Sequence, residues 1–217
     1  MNFKEARFNM IEQQIRTWEV LDQNVLDLLN EIHREEFIPE AYRNLALADT
    51  SIPIGHGQTT MAPKLEARIL QSLGVSPSDS ILEVGTGCGY FTALLGHSAK
   101  KIKSIDFFPD FINAANQKIS KTKLTNVELE NCDAYSLLKK TERYDIVVFS
   151  ASLPTMHENF LNLLNEDGRL FVVIGESPSM EARLYTKENK SSSSYESLFE
   201  TDLLTLIGAK QKNEFEF

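Results

Sequence analysis

Ile81-Leu82-Glu83-Val84-Gly85-Thr86-Gly87-Cys88-Gly89-Tyr90 is the stretch that decides the fold. A short apolar run ends in an acid, glycines then alternate with other residues, and an apolar helical pattern follows from Phe91. Strand, tight turn, helix is the order in which a doubly wound α/β sheet opens a ligand crevice at its carboxyl edge. Glycines at such a turn admit positive φ and let a ligand lie against bare backbone. An idle turn would lose backbone entropy for no packing return, which makes it the weaker reading. Two phosphate cradles are excluded. A dinucleotide fingerprint needs its third glycine where Tyr90 stands, and a P-loop needs Gly-Lys-Ser/Thr, with no lysine nearby.

The chain has 217 residues, 42% hydrophobic and 24% charged, which suits one globular domain with a sizeable core. A formal net charge of −9 argues against general affinity for nucleic acid, because phosphate binding needs a basic face. Cys88 and Cys132 cannot hold a metal cluster alone and suit a reducing compartment. The opening Met1-Asn2-Phe3-Lys4-Glu5 lacks a basic-then-apolar signal pattern, and no stretch approaches a membrane span. A cytoplasmic monomer is expected, with neither a membrane nor a nucleic acid as partner.

Residues 4–33 show helical spacing, first through Ala6, Met10, Ile11 and Ile15, then through Val20, Val25, Leu28, Leu29 and Ile32. Trp18 lies at the joint between the two runs, and Pro39 closes this helical extension, residues 1–44. Residues 45–63 hold prolines, glycines and small hydroxyls, the mark of a shaped and functional loop. The cofactor-binding core is expected over 64–176, starting with a helix from Lys64 to Leu73 that Gly74 stops. Strands are expected at 81–84, 101–106, 127–131, 144–149 and 168–175. Helices are expected at 91–97, from Pro109 to about Ile119, and around 156–165. The tail, 177–217, reads as an antiparallel hairpin with a polar turn at Lys187–Ser194, a flexible tip at Ser191–Ser194, and a further apolar run at Leu203–Leu206.

Glu83, Asp106 and Asp133 fall at the ends of the first three strands. Asp106 lies about twenty residues beyond the glycine turn, where a doubly wound fold sets the acid that accepts ribose hydroxyls. Glu-x-Gly-x-Gly-x-Gly resembles the first motif of the class I S-adenosylmethionine-dependent methyltransferases, a Rossmann-like fold with a mostly parallel sheet. That resemblance implies S-adenosyl-L-methionine as cofactor, with Gly85, Thr86, Gly87 and Gly89 at its methionine end. Asp133 is then placed to meet the adenine amino group, and Glu83 braces the turn or reaches the sulfonium end.

A wider pattern resembles the protein-L-isoaspartate O-methyltransferases from about residue 9 to residue 176. Its parts are Arg34-Glu35-Glu36-Phe37-Ile38-Pro39, Ile52-Pro53-Ile54-Gly55, Gly57-Gln58-Thr59-Thr60, the glycine stretch, Tyr144-Asp145-Ile146-Val147-Val148 and Gly168-Arg169-Leu170. The resemblance implies methylation of the α-carboxylate at isoaspartyl linkages, starting repair of damaged proteins. It also assigns Thr59 and Thr60 to orienting the acceptor or the cofactor's methionine end.

Two departures bear on the acceptor side. The family typically reads Thr-Ile-Ser-x-Pro where this chain has Thr59-Thr60-Met61-Ala62-Pro63, so Met61 stands in place of a hydroxyl. A thioether is a poor acceptor and no donor, which predicts lower turnover unless Thr60 supplies the hydroxyl. Gly-Asp-Gly after the third strand is replaced by Cys132-Asp133-Ala134, and the tail at Leu198–Leu203 also differs. A methyltransferase with another protein or small-molecule acceptor, or a cofactor-binding module of reduced activity, are the competing readings. The fourth strand ends in Ser150-Ala151-Ser152-Leu153-Pro154, not Asn-Pro-Pro-Tyr or Pro-Cys, which favours an oxygen acceptor. His56 sits in the substrate loop, while His33, His97 and His157 have no ligand spacing.

Overall fold

The computed structural model describes residues 1–189 and 192–209. Helix α1 (Phe3–Met10) starts at Asn2, whose side chain accepts the Glu5 N–H. It continues through a π turn, Ile11–Ile15, and a 3-10 turn, Arg16–Trp18, and ends where Glu19 turns left-handed at φ 62°. Helix α2 (Gln23–Glu31) is capped by the Asp22 carboxylate and buries Val25, Leu26 and Leu29. The two expected helical runs are thus two helices, parted at the expected joint because Glu19 leaves the right-handed region.

Two 3-10 turns, Arg34–Glu36 and Glu40–Leu45, lead into the 45–63 loop. That loop contains a small hairpin, β1 (Pro53–Gly55) and β2 (Gln58–Thr59). Gly55, His56 and Gly57 all turn with positive φ, at 113°, 49° and 69°. Helix α3 (Pro63–Leu73) has proline in its first turn and a left-handed Gly74 at its end, as its sequence requires.

The α/β alternation follows: β3 (Ser80–Val84), α4 (Tyr90–Ser98), β4 (Lys101–Asp106), α5 (Pro109–Ile119) and β5 (Val127–Asn131). After a 3-10 turn at Ala134–Lys139 come β6 (Tyr144–Leu153), a second at Glu158–Leu163, and β7 (Leu164–Glu176). β8 (Ser179–Lys187) and β9 (Ser193–Glu200) close the sheet. Its order is β5-β4-β3-β6-β7-β8-β9, with β3 to β7 parallel and the last two antiparallel. The chain reverses its direction of travel across the sheet between β3 and β6, so the carboxyl end of β3 is the topological switch point.

Strand alternation divides the core. Ile81, Ile102, Ile146, Val148 and Phe171 face the layer formed by α1 to α5. Leu82, Val84, Ile105, Val147 and Phe149 face a thinner layer built on Leu137, Phe160 and Leu163. The helix expected around 156–165 is only the Glu158–Leu163 3-10 turn. β6 runs on to Leu153 and β7 begins at Leu164, so β7 takes up the end of the expected helix and the connection keeps only this short turn. The Leu203–Leu206 run makes one isolated bridge, Ser152 to Thr205, rather than a strand. The strands reach Lys187 and resume at Ser193, so the expected turn is shorter; Ser191 of the expected tip lies outside the described residues. No helix among the described residues is long and apolar enough to cross a membrane.

Gly89, at the start of α4, has φ 85°, and a Cβ there would lie 3.0 Å from Ala115 Cβ and 3.3 Å from its Cα on α5. Helix α4 can approach α5 only because that atom is missing. Gly89→Ala should therefore cost about 1–3 kcal/mol from backbone strain and overpacking. A lower midpoint in chemical denaturation at unchanged slope would register it; an unshifted midpoint would show that the helices adjust freely.

Candidate functional site

The crevice opens where β3 ends. The Gly85 and Thr86 N–H groups donate to Ile105 O at 2.9 and 3.1 Å, which staples the glycine turn to β4. Gly85 and Gly87 turn with φ 106° and 51°. Asp106 then ties the turn from β4. Its Oδ2 accepts the Gly87 N–H at 2.9 Å and its Oδ1 accepts the Phe108 N–H at 3.0 Å. Each oxygen keeps a second lone pair. Burial raises the Asp106 carboxyl above its ordinary range, and those two N–H groups oppose the rise.

Thr59, Thr60, Met61, Gly85, Thr86, Gly87, Asp106 and Asp133 all line this one crevice. The acceptor loop, the glycine turn and two strand-end acids, far apart in the chain, are thereby brought together. Asp133 is exposed, and its Oδ1 accepts the Tyr135 N–H at 2.9 Å as the cap of the next turn. Two of the residues read as cofactor contacts do not line the crevice. Gly89 faces Ala115, and Glu83 lies behind the turn, fully buried.

Glu83 acts on the turn through hydroxyls. Thr92 Oγ1 donates to Glu83 Oε2 at 2.5 Å, Ser104 Oγ lies 3.4 Å from that Thr92 oxygen, and Thr86 Oγ1 is 2.6 Å from Ser104 Oγ. Burial pushes the Glu83 carboxyl up to about 8, only partly offset by the Ser104 and Thr92 hydroxyls. Thr86 is thus held by side chains on its far side while lining the crevice.

The acceptor loop rests on Arg34, which is 1% exposed. Its Nε donates to Glu66 Oε2 at 2.9 Å, its Nη1 to Ala46 O at 2.6 Å, and its Nη2 to Met61 O at 2.7 Å and Thr60 Oγ1 at 3.1 Å. Thr60 Oγ1 also accepts the Ile52 N–H at 3.1 Å, so both its lone pairs are engaged. Met61 is buried, with its side chain in the loop's core cluster.

Several wall residues went unnoticed in the sequence. Phe107, Phe108 and Phe111 follow Asp106 and form an aromatic wall, a signal visible as three phenylalanines beside a strand-end acid. Ser150, at an irregularity where β6 and β7 lose register, lines the crevice beside Gly85. Thr205, Leu206 and Ile207 also line it, on a strap bound to Ser152 by Ser152 N–H to Leu204 O at 2.9 Å and Leu206 N–H to Ser152 O at 2.8 Å. Among the described residues no His, Cys, Asp and Glu side chains gather as a metal site.

An open, mostly parallel sheet, a glycine turn at its switch point and acids at the neighbouring strand ends define a class I methyltransferase. The profile described as protein-L-isoaspartate(D-aspartate) O-methyltransferase (PCMT) matches residues 5–211. The chain belongs to that family. Among curated relatives, the protein-L-isoaspartate O-methyltransferase of Koribacter versatilis is 31% identical, covering 95% of this chain and 92% of its own. Protein-L-isoaspartate O-methyltransferase 2 of Archaeoglobus fulgidus is 33% identical over 82% of each. A Plasmodium falciparum protein described as a protein-L-isoaspartate O-methyltransferase, solved with S-adenosyl-L-homocysteine, superposes with a TM-score of 0.80 at 22% identity. That alignment covers 95% of this chain and 98% of the other, and shows the shared fold.

Two outcomes follow from the geometry. Asp106→Ala should weaken S-adenosylhomocysteine binding by about 1.5–3 kcal/mol, the loss of hydrogen bonds to a charged group, as read by calorimetry. Unchanged affinity would remove Asp106 from the site. For Glu83, the folded carboxyl at about 8 lies above the ordinary 4.5. Its contribution to stability is full below the lower value and is lost as pH rises through the upper one. Glu83→Gln stays neutral throughout, so wild type should lose stability relative to it across that window. A pH-independent difference in denaturation midpoints would show that the carboxyl is ionised in the fold.

Proposed function

We infer that the protein transfers the methyl group of S-adenosylmethionine to the carboxylate of isoaspartyl residues in damaged proteins and peptides, the step that starts their repair. The observation that carries the reading is the crevice, which joins the acceptor loop to the glycine turn and strand-end acids in a chain of this family. The residues present fit the cofactor. Asp106 has a free lone pair on each oxygen for two ribose hydroxyls, Asp133 is exposed for the adenine amino group, and Gly85 and Gly87 offer backbone without Cβ. When bound, S-adenosylmethionine supplies an electrophilic methyl group on a sulfonium.

An acceptor carboxylate is already ionised near neutral pH, so the protein needs no general base. Its work is to align the acceptor and exclude water. Phe91, Phe107, Phe108 and Phe111 make the crevice lining strongly apolar, and the Thr205–Ile207 strap, bridged to β6 at Ser152, adds to it. Arg34 fixes the acceptor loop by its carbonyls rather than by touching the crevice. Thr60 serves that same anchorage as an acceptor, and Thr59 is the exposed hydroxyl among the loop residues that line the crevice. Both cysteines are free thiols, which supports a reducing compartment such as the cytoplasm.

Met61 favours a second reading, in which acceptor use is altered. Met61 lines the crevice where the family pattern has a hydroxyl able to donate to the acceptor carboxylate, while Thr60 beside it accepts two hydrogen bonds from the loop's anchorage and keeps only its O–H to donate. Incubation with methyl-labelled cofactor should label an isoaspartyl peptide and spare its aspartyl counterpart. Met61→Ser should raise that turnover roughly ten- to hundredfold, the worth of a recovered hydrogen bond to a charge. Robust wild-type activity that the serine does not improve would restore an ordinary acceptor site. No label in either peptide, with cofactor bound, would point to a different acceptor.

A further inference from the structure

The β1–β2 hairpin has two anchors. Arg34 holds its base, and the tip is held by His56. His56 Nε2 lies 2.8 Å from Asp110 Oδ2 in the first turn of α5. Its ring stacks on Phe108 with centroids 4.1 Å apart and 9° between planes, and meets the Phe111 edge at 5.4 Å. His56 holds this place with a left-handed φ of 49° that a non-glycine residue adopts at a cost. Strain of this kind persists where surrounding contacts over-determine it.

The hairpin thereby reaches from the glycine turn to the aromatic residues that follow the ribose acid. Ile54 lines the crevice close to Gly87, where a Cβ on the glycine would meet Ile54 Cδ1 at 3.3 Å. A Cβ on Gly55 would meet Phe111 at 3.6 Å. Phe108, under the His56 ring, is the residue whose N–H is held by Asp106. One continuous set of contacts therefore runs from the ribose acid, through Phe108, to the tip of the loop that carries Thr59 and Met61.

We propose that His56 is a cofactor-positioning residue, latching the hairpin tip to the start of α5 and so retaining the nucleoside end of S-adenosylmethionine. This rests on the cofactor reading above. The latch acts on release. The base of the loop stays on Arg34 whether or not the tip is fastened, so acceptor alignment is largely independent of it. An aromatic stack and an exposed hydrogen bond to a carboxylate together correspond to about a three- to tenfold change in rate.

The test is stopped-flow displacement of S-adenosylhomocysteine, with calorimetric affinity and melting temperature, in wild type, His56→Ala, His56→Gly, His56→Asn and Asp110→Asn. Release should be about three- to tenfold faster in His56→Ala and in Asp110→Asn, and no faster in the double variant than in the quicker single. His56→Gly, which relieves the left-handed strain but lacks the ring, should release equally fast while melting no lower than wild type. His56→Asn tolerates the same backbone but is too short for the Asp110 contact made through Nε2 and has no ring to stack, so it should release as fast as the alanine variant. The KM for S-adenosylmethionine should rise by about the same factor as release quickens, a change that a merely structural role would not produce. Release rates equal to wild type in the alanine and glycine variants would overturn the latch while leaving the cofactor site standing. Additive effects in the double variant would overturn the His56–Asp110 coupling. A wild type that binds neither form of the cofactor would overturn the cofactor reading, and the latch with it.

Discussion

The buried guanidinium of Arg34 is the contact on which the working geometry depends. It joins the 3-10 turn after α2, the carbonyls of Ala46 and Met61, the hydroxyl of Thr60 and the carboxylate of Glu66 on α3. Few other side chains could do this. Arginine offers a planar fork of donors and keeps its charge even when buried. Glu66 is itself buried, so the two charges compensate one another inside the core. Taking away one partner of such a pair leaves an uncompensated charge, typically a loss of about 3–5 kcal/mol. The loop between residues 45 and 63 has little regular structure of its own, and this ion pair gives it a fixed base.

The glycine turn divides its work among three positions. Gly85 passes close to Ser150 on β6, Gly87 passes under Ile54, and Gly89 admits α5. Only the first two border the crevice, although all three share one sequence pattern. Behind them the Glu83–Thr92–Ser104–Thr86 hydroxyl set holds the turn against β4. A neutral Glu83 is compatible with that position, since a charge sealed from water on an apolar strand would be costly.

The acceptor end is where this chain departs from its family pattern. Met61 contributes a buried apolar wall, and the hydroxyl side chains on the crevice come from Thr59 and Thr60 on the loop, Thr86 on the glycine turn, Ser150 on β6 and Thr205 on the strap. The side-chain oxygen of Ser150 is shielded from water and has no hydrogen-bond partner. Chemistry that needs only an ionised nucleophile tolerates such rearrangement, because alignment can be supplied by any wall of the crevice.

Much of the architecture was legible from residue order. Continuous apolar runs such as Ile146–Phe149 suit parallel strands covered on both faces, and Pro109, Pro63 and Gly74 mark helix ends by the dihedral angles they impose. The glycine turn and the acids Asp106 and Asp133 were legible for the same reason, since spacing along a strand–turn–helix unit places them. The structure alone decided the rest. Arg34 lies 32 residues from Glu66, and His56 lies 54 residues from Asp110, so nothing local tells either side chain that its partner exists. Whether Glu158–Leu163 forms an α-helix depended on where β6 stops, which its pairing with β7 sets. Gly89 was indistinguishable from Gly85 until α5 packed beside it. The chain by itself determined its periodic elements and its crevice; burial of charge and the pairing of distant loops belong to the tertiary structure, because they depend on which surfaces meet.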